Sequence, residues 1–413
     1  MTSLPRITLI GLGLFLSQVV PVQADPVGLD GTVMCGYQGW FATEGDGMKR
    51  GWQHYGFNQE GRCHIDLWPD VSEYGSDELF TTPLKFADGS AARVFSSANA
   101  KTVHRHFEWM REHQIDGVFL QRFATVTRGG SSLAFVDQVM ANVRDAARET
   151  GRAWAVMYDL SGLKKGEIES IVMPDWRRLR DELKITADPT YQHHTGKPVV
   201  AVWGIGFNDD RAYTLDESAA LLRFLKTELG GATVMAGVPF GWRELNRDAV
   251  NDPHLHEVLA EADIISPWAV GRYGTVKGAT HDIGKVHSGD AAWCQERGKS
   301  YLPVIFPGFS WHNLMQARGQ EARVNAIPRL KGQFYWHQAM ERLRAGSKML
   351  YVAMFDEMDE GTAIFKCSNT TPVGGAQFAT YEGLPSDHYL WLTGQIRQVL
   401  RGESTVTSSL PSR

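Results

Sequence analysis

Apolar and β-branched residues recur along the chain in short runs, each closed by Gly, Pro, Asp or an aromatic residue. Eight such runs read as strands: TVMCGYQGW from Thr32, DGVFLQRF from Asp116, AWAVMYDL from Ala153, PVVAVWGIG from Pro198, ATVMAGVPF from Ala232, DIISPWAVGR from Asp263, YLPVIFPGFS from Tyr301 and MLYVAMFDE from Met349. After the first, they succeed one another at intervals of roughly 30–50 residues, the length of a strand plus a returning helix. The gaps change period. Val103, Phe107 and Met110 lie four and three apart in AKTVHRHFEWMREHQ, one face of a helix. AFVDQVMANVRDAARETGR ends at Gly151, a C-cap signal. LDESAALLRFLKTELGG carries Asp216 in its first turn and stops at a glycine pair. FYWHQAMERLRAG leads into the last strand and HYLWLTGQIRQVLRG follows it.

Alternating strand and helix predicts a parallel sheet, and eight units predict an α/β fold of the (β/α)8 TIM-barrel type, one domain over 25–402. A doubly wound open sheet is the competing architecture, but no G-x-G-x-x-G follows the first strand. The stretch from Phe41 to about Ser97 is far longer than a usual βα loop. It holds Trp52, His54, Tyr55, His64, Asp66, Trp68 and Tyr74. In a barrel, a long β1–α1 insertion sits on the C-terminal face, where the βα loops build active sites.

The two ends read differently. Arg6 precedes an apolar run from Ile7 to about Val20, and Val22-Gln23-Ala24 offers a small-residue cleavage site. This predicts a signal peptide over 1–24 and a secreted or periplasmic chain with no membrane span. The polar residues 403–413 read as a disordered tail.

Composition narrows the chemistry. Of the 413 residues, 43% are hydrophobic and 22% charged, as in a soluble globular chain with a full core. A net charge of -5 gives no electrostatic reason to expect nucleic acid as a partner. The chain is expected to act as a monomer. Thirteen tryptophans are many for this length, and indole faces suit stacking on sugar rings. Cys35, Cys63, Cys294 and Cys367 fit no zinc spacing; export permits disulfides, and the pairing stays open.

In a barrel, side chains at the C-terminal strand ends meet at one mouth. Those ends supply Tyr37, Gln38 and Trp40, then Gln121, Arg122, Tyr158, Asp159 and Trp203, then Trp268, Arg272, Tyr273, Trp311 and His312. Trp52 and His54 join them from the insertion. The last strand ends in Asp356, Glu357, Asp359 and Glu360. Aromatic walls and hydrogen-bonding groups suit a polysaccharide or oligosaccharide, and paired carboxylates are what glycoside cleavage requires. Crowded, buried carboxylates also raise one another's pKa, which keeps one of them an acid near neutral pH. A solvated acidic loop, or carboxylates satisfied by Arg122, Arg243 and Arg272, is the plainer reading. A divalent-cation site is a third, but the D-x-D-x-D-G order of a calcium loop is missing. No metal and no cofactor is expected.

FDEMDEGTAI, from Phe355 to Ile364, resembles the F-N-E-W-H-E-G-T-x-I motif of glycoside hydrolase family 99, the endo-α-mannosidases and endo-α-mannanases. Together with the early GYQGWF it is more similar still to secreted bacterial chains of the family 71/99-like group, over roughly Cys35 to Lys366. The resemblance implies a (β/α)8 retaining endo-glycosidase for α-linked glycans, working without metal. By position, Glu357 would assist the sugar's own 2-hydroxyl in attacking the anomeric carbon, giving a 1,2-anhydro sugar. Glu360 would be the general acid/base. The chain departs from the motif at Asp356 (Asn in the family), at Met358-Asp359 (Trp-His) and at Phe309 (Tyr), positions that shape the sugar subsite. An α-1,3-glucanase of the family 71 kind, a non-catalytic polysaccharide-binding barrel and a metal-dependent hydrolase remain as alternatives.

Overall fold

The computed structural model describes residues 28–413 apart from Gln59; the expected leader lies outside the described residues. All eight runs form strands. They are β1 (Val33–Tyr37), β2 (Gly117–Phe123), β3 (Ala153–Asp159), β4 (Lys197–Trp203), β5 (Thr233–Val238), β6 (Ile264–Pro267), β7 in two short pieces (Ser300–Tyr301 and Val304–Ile305) and β8 (Leu350–Val352). Each pairs in parallel with its neighbours, and β8 returns to β1. The break in β7 falls at Pro303, which has no N–H to donate to a ladder. Its first piece pairs with β6 and its second with β8, while the Pro303 carbonyl accepts from Tyr351 N. The sheet is therefore a closed (β/α)8 barrel, not an open one.

Every residue of β1, β3 and β5 is buried, because side chains fill the barrel on one side and helices cover the other. Gly117 shows how tightly the wall is built: a Cβ there would lie 2.0 Å from the Ala153 carbonyl oxygen. Gly117→Ala is expected to cost about 1–3 kcal/mol through overpacking, read as a lower urea midpoint.

The helices are α1 (Ala100–Glu112), α2 (Gly130–Thr150), α3 (Met173–Arg177, inside a wider coil from Ile168 to Glu182), α4 (Leu215–Thr227), α5 (His254–Ala260), α6 (Val276–Glu296), α7 (His312–Ala317), α8 (Gln333–Arg344) and α9 (His388–Leu400). Capping decides several ends. The Asn99 side chain accepts from Lys101 N and Thr102 N, Thr214 and Glu217 form a capping box at α4, and Gly151 closes α2 with φ 67°. None of the described helices is long and apolar enough to cross a membrane. From the segment 403–413, Thr407 O accepts from Trp336 Nε1 of α8, and Arg413 pairs with Asp387 before α9.

Two constructions outside the barrel position the mouth. The insertion between β1 and α1 carries a hairpin, Leu79–Lys85 with Ala91–Phe95. It is pinned down by the buried Asp66, whose carboxylate accepts from Ser310 Oγ at 2.5 Å, His312 N at 2.7 Å and Asn313 N at 2.8 Å. One aspartate thus ties the insertion to the loop after β7. The insertion also meets β1 through His106, whose two ring nitrogens contact Tyr37 and Tyr74 hydroxyls at 2.8 Å each. His194 sits at the opposite end of the barrel, buried, with Leu29 N donating to its Nδ1.

Candidate active site

β8 ends at Val352, and the acidic stretch follows in a tight loop that folds back over the barrel mouth. Glu357 O accepts from both Thr362 N and Ala363 N, and Gly361, with φ +61°, packs against Ser310. A side chain at Gly361 would strain this reversal, which returns Thr362 to face Glu357.

The four carboxylates have four environments. Asp356 faces inward: its oxygens accept from Gln38 N at 2.7 Å and Gly39 N at 2.9 Å, joining the end of β8 to the end of β1. Burial lifts its pKa to about 7 against these bonds. Glu357, only 4% exposed, takes a bond on each oxygen, from Gln38 Nε2 at 2.5 Å and Thr362 Oγ1 at 2.5 Å. Burial first, then the charges of Glu360 and Asp359, push it well above the usual carboxylate range. Asp359 Oδ2 meets His54 Nδ1 at 3.1 Å, and that imidazole lies flat on the Trp40 indole with ring centres 3.8 Å apart. Glu360 is raised to about 7, by burial and by Asp359, with Arg318 opposing. Both glutamates thus keep their protons to higher pH than an ordinary carboxyl does.

Beside the loop opens a cleft of about 1010 Å³. Gln38, Trp40, Trp52, His54, Gln121, Asp359 and Glu360 line it, and Glu357 lies one hydrogen bond behind Gln38. Trp40 Nε1, Gln38 Oε1, Gln121 Oε1 and Asp359 Oδ1 are buried and have no hydrogen-bond partner among the described residues. Buried polar atoms are rarely left so. Here they present one donor and three acceptors, the pairing pattern that sugar hydroxyls complete.

The remaining strand-end residues have other duties or lie apart from this cleft. Tyr37 is committed to His106. Arg122 forks onto Asp175 at 2.7 and 2.8 Å, and Tyr158 donates to the same carboxylate at 2.7 Å. Tyr273 donates to Gln338, and Arg272 pairs with Asp248. His312 begins α7, its Nδ1 donating to Ala322 O. Trp203 and Trp268 meet edge to face on the β4–β6 side of the mouth, and Trp311 packs on Phe309. Asp159, held by Ser161 N, is lifted by burial to about 6. All four cysteines are buried free thiols, with burial raising Cys63, Cys294 and Cys367 to about 12. Among the described residues, no three His, Cys, Asp or Glu side chains group as metal ligands.

Sequence reasoning passed over Arg50 and Arg318, which also line the cleft beside His64 of the insertion, and Thr362, which holds Glu357. Only Thr362 had a signal, its place in the EGT run; the others come from loops whose path the pattern does not encode.

No family profile matches the chain, and no curated protein does. Solved structures do. Two structures of an endo-α-mannosidase of glycoside hydrolase family 99 from Bacteroides thetaiotaomicron, one of them holding bis-tris-propane, superpose with TM-score 0.61. Each covers 91% of this chain and 98% of its own, at 14% identity. This chain shares their fold. A family 5 glycoside hydrolase from Streptomyces cattleya aligns more loosely, at TM-score 0.44 and 13% identity over 75% of this chain and 77% of that one.

Proposed function

We propose that this protein is an exported, endo-acting retaining glycoside hydrolase for α-linked glycans, with Glu357 and Glu360 as its two working carboxyls. The observation that carries the reading is the pair itself: two buried glutamates of raised pKa, one at the wall of a sugar-sized aromatic cleft and one held directly behind it. Likeness to the family 99 fold and to its E-x-x-E run supports the same assignment.

The reaction needs one base and one acid. Glu357 takes the proton of the sugar 2-hydroxyl, whose oxygen closes on the anomeric carbon as the glycosidic bond breaks. Glu360 gives its proton to the departing oxygen. In the second half, Glu360 takes a proton from water while the water oxygen attacks the anomeric carbon. The 1,2-anhydro ring then opens, and its oxygen recovers the proton from Glu357. Protons and bonds balance, and the anomeric configuration is retained. The bonds from Gln38 and Thr362 favour ionised Glu357 and aim both its oxygens. A raised pKa makes that carboxylate a stronger base toward a weakly acidic hydroxyl. Asp356 contributes by orienting Gln38 through its backbone.

Digestion of a panel of α-linked polysaccharides, mannan and α-1,3-glucan among them, with products read by mass spectrometry, tests the activity. Binding without cleavage across the panel would make the barrel a polysaccharide-binding module instead. The pH profile tests the acid. Glu360 must be protonated to donate, so kcat/KM should fall as pH rises through about 7. A profile flat to pH 9 removes Glu360 from that role.

A further inference from the structure

The charged groups of the cleft point to something the reaction does not require. Arg50 and Arg318 both line it. Among the described residues, neither guanidinium makes a hydrogen bond or an ion pair, whereas those of Arg122, Arg144, Arg178 and Arg211 each bond to a carboxylate. Arg50 lies with its guanidinium 5.2 Å from the centre of the Phe135 ring. Half-burial pushes its pKa down, and Asp46 only partly offsets this. Asp46 is already occupied, accepting from Thr43 N, Met48 N and Ser96 Oγ. Arg318 follows α7 and acts on both Glu360 and His64 through space. Arg318 is exposed at the rim, whereas the half-buried Arg50 guanidinium has no carboxylate bonded to it, an unfavourable state for a partly desolvated cation; Arg presents a planar fork that matches an oxyanion.

The acids of the cleft do not satisfy these cations. Asp359 is engaged with His54, Glu360 interacts with Arg318 through space but makes no ion pair with it, and Glu44 is an exposed side chain with no bond to either arginine. The free valences of the lining are thus two cationic forks together with the unpartnered Trp40 donor and the Gln38 and Gln121 acceptors. This set suits a sugar that carries hydroxyls and a negative charge.

We infer that the cleft takes an acidic glycan, whose carboxylate or sulfate oxyanion is bound by Arg318 beside Glu360 or by Arg50 on the Phe135 side. The inference rests on the glycosidase reading for its site but not for its test. Placing an anion by Arg318 would also remove that residue's pull on Glu360, favouring the protonated acid when substrate is bound.

The experiment is calorimetric binding to full-length Glu360→Gln protein, which needs no turnover. The probes are three size-matched oligosaccharide sets: neutral, uronic-acid-containing and sulfated. A charge-assisted bond contributes about 1.5–3 kcal/mol, so an acidic set should bind roughly tenfold or more tighter than the neutral one at low salt. That ratio should shrink in high salt. Arg318→Gln and Arg50→Gln, added singly, should identify the contact by bringing the ratio toward one. Carboxylated and sulfated sets tell the two oxyanions apart. Equal or tighter binding of the neutral set, or a ratio that neither arginine variant alters, overturns the inference, as does no binding by any set. If wild type cleaves neutral glycans while the ratio is one, the hydrolase stands and the acidic substrate falls. If the arginine-dependent ratio appears but wild type cleaves nothing, the opposite holds.

Discussion

Glu360→Gln is expected to abolish hydrolysis of the responsive glycan, lowering kcat by roughly 10²–10⁴-fold, the contribution typical of a positioned acid/base. Glutamine keeps the shape and can still accept a hydrogen bond, but it has no proton to give the leaving oxygen and cannot activate water. Binding should survive, because the lining indoles and amides are untouched. A second readout separates lost chemistry from lost structure. Glu360 is raised to about 7 in the fold from an ordinary value of 4.5. As pH rises between those values, the unfolded chain gives up this proton while the folded chain retains it, so stability falls across that window. The amide removes the penalty, and the variant should therefore unfold at a higher urea concentration than wild type at pH 8, with a smaller difference near pH 5. Retained turnover, or a variant that melts early at pH 8, would falsify the assignment.

Asp175→Asn is expected to be the most destabilising conservative change in the barrel wall, costing about 3–5 kcal/mol, because it leaves the buried Arg122 guanidinium without its main counter-charge. Arg122 is 2% exposed and reaches Asp175 with two nitrogens, with Asp137 as its second partner at 2.9 Å. Tyr158 and Arg178 add to the same carboxylate. These bonds outweigh burial and hold Asp175 below its ordinary value of 3.8. The stability so gained is present above that value and is lost as pH falls through the depressed pKa. Urea midpoints should differ strongly between the two proteins at pH 7 and converge in acid. An unchanged midpoint at pH 7 would show that Arg122 is satisfied without Asp175. The same network explains why Arg122 and Tyr158, at strand ends, do not line the cleft: their polar atoms bond to Asp175 in closing the wall between β2, β3 and the coil around α3.

Much of this architecture is written in local pattern. The eight strand runs and five of the helices appear in the sequence because buried parallel strands need continuous apolar, β-branched runs and surface helices need one apolar face. The helix α6 was not legible. It carries Gly278, Gly284 and Gly289, residues that lower helix propensity, and it forms because packing against α8 and the barrel outweighs that cost. The break of β7 at Pro303, which lets one strand reach both neighbours, also follows only from closure.

The site divides the same way. The sequence by itself determined that a cluster of carboxylates follows the last strand and that Glu357 and Glu360 stand three apart, because strand order places that loop at the barrel mouth. It did not determine what each carboxylate faces. Asp356 turned inward to two backbone N–H groups, Asp359 found His54 from an insertion some 300 positions earlier, and Arg50 and Arg318 arrived on separate loops. Those pairings depend on where the insertion lies once Asp66 has tied it to the loop after β7. Strand and helix periods are set by neighbours along the chain, whereas burial, charge and proton affinity are set by neighbours in space, and only the closed barrel supplies them.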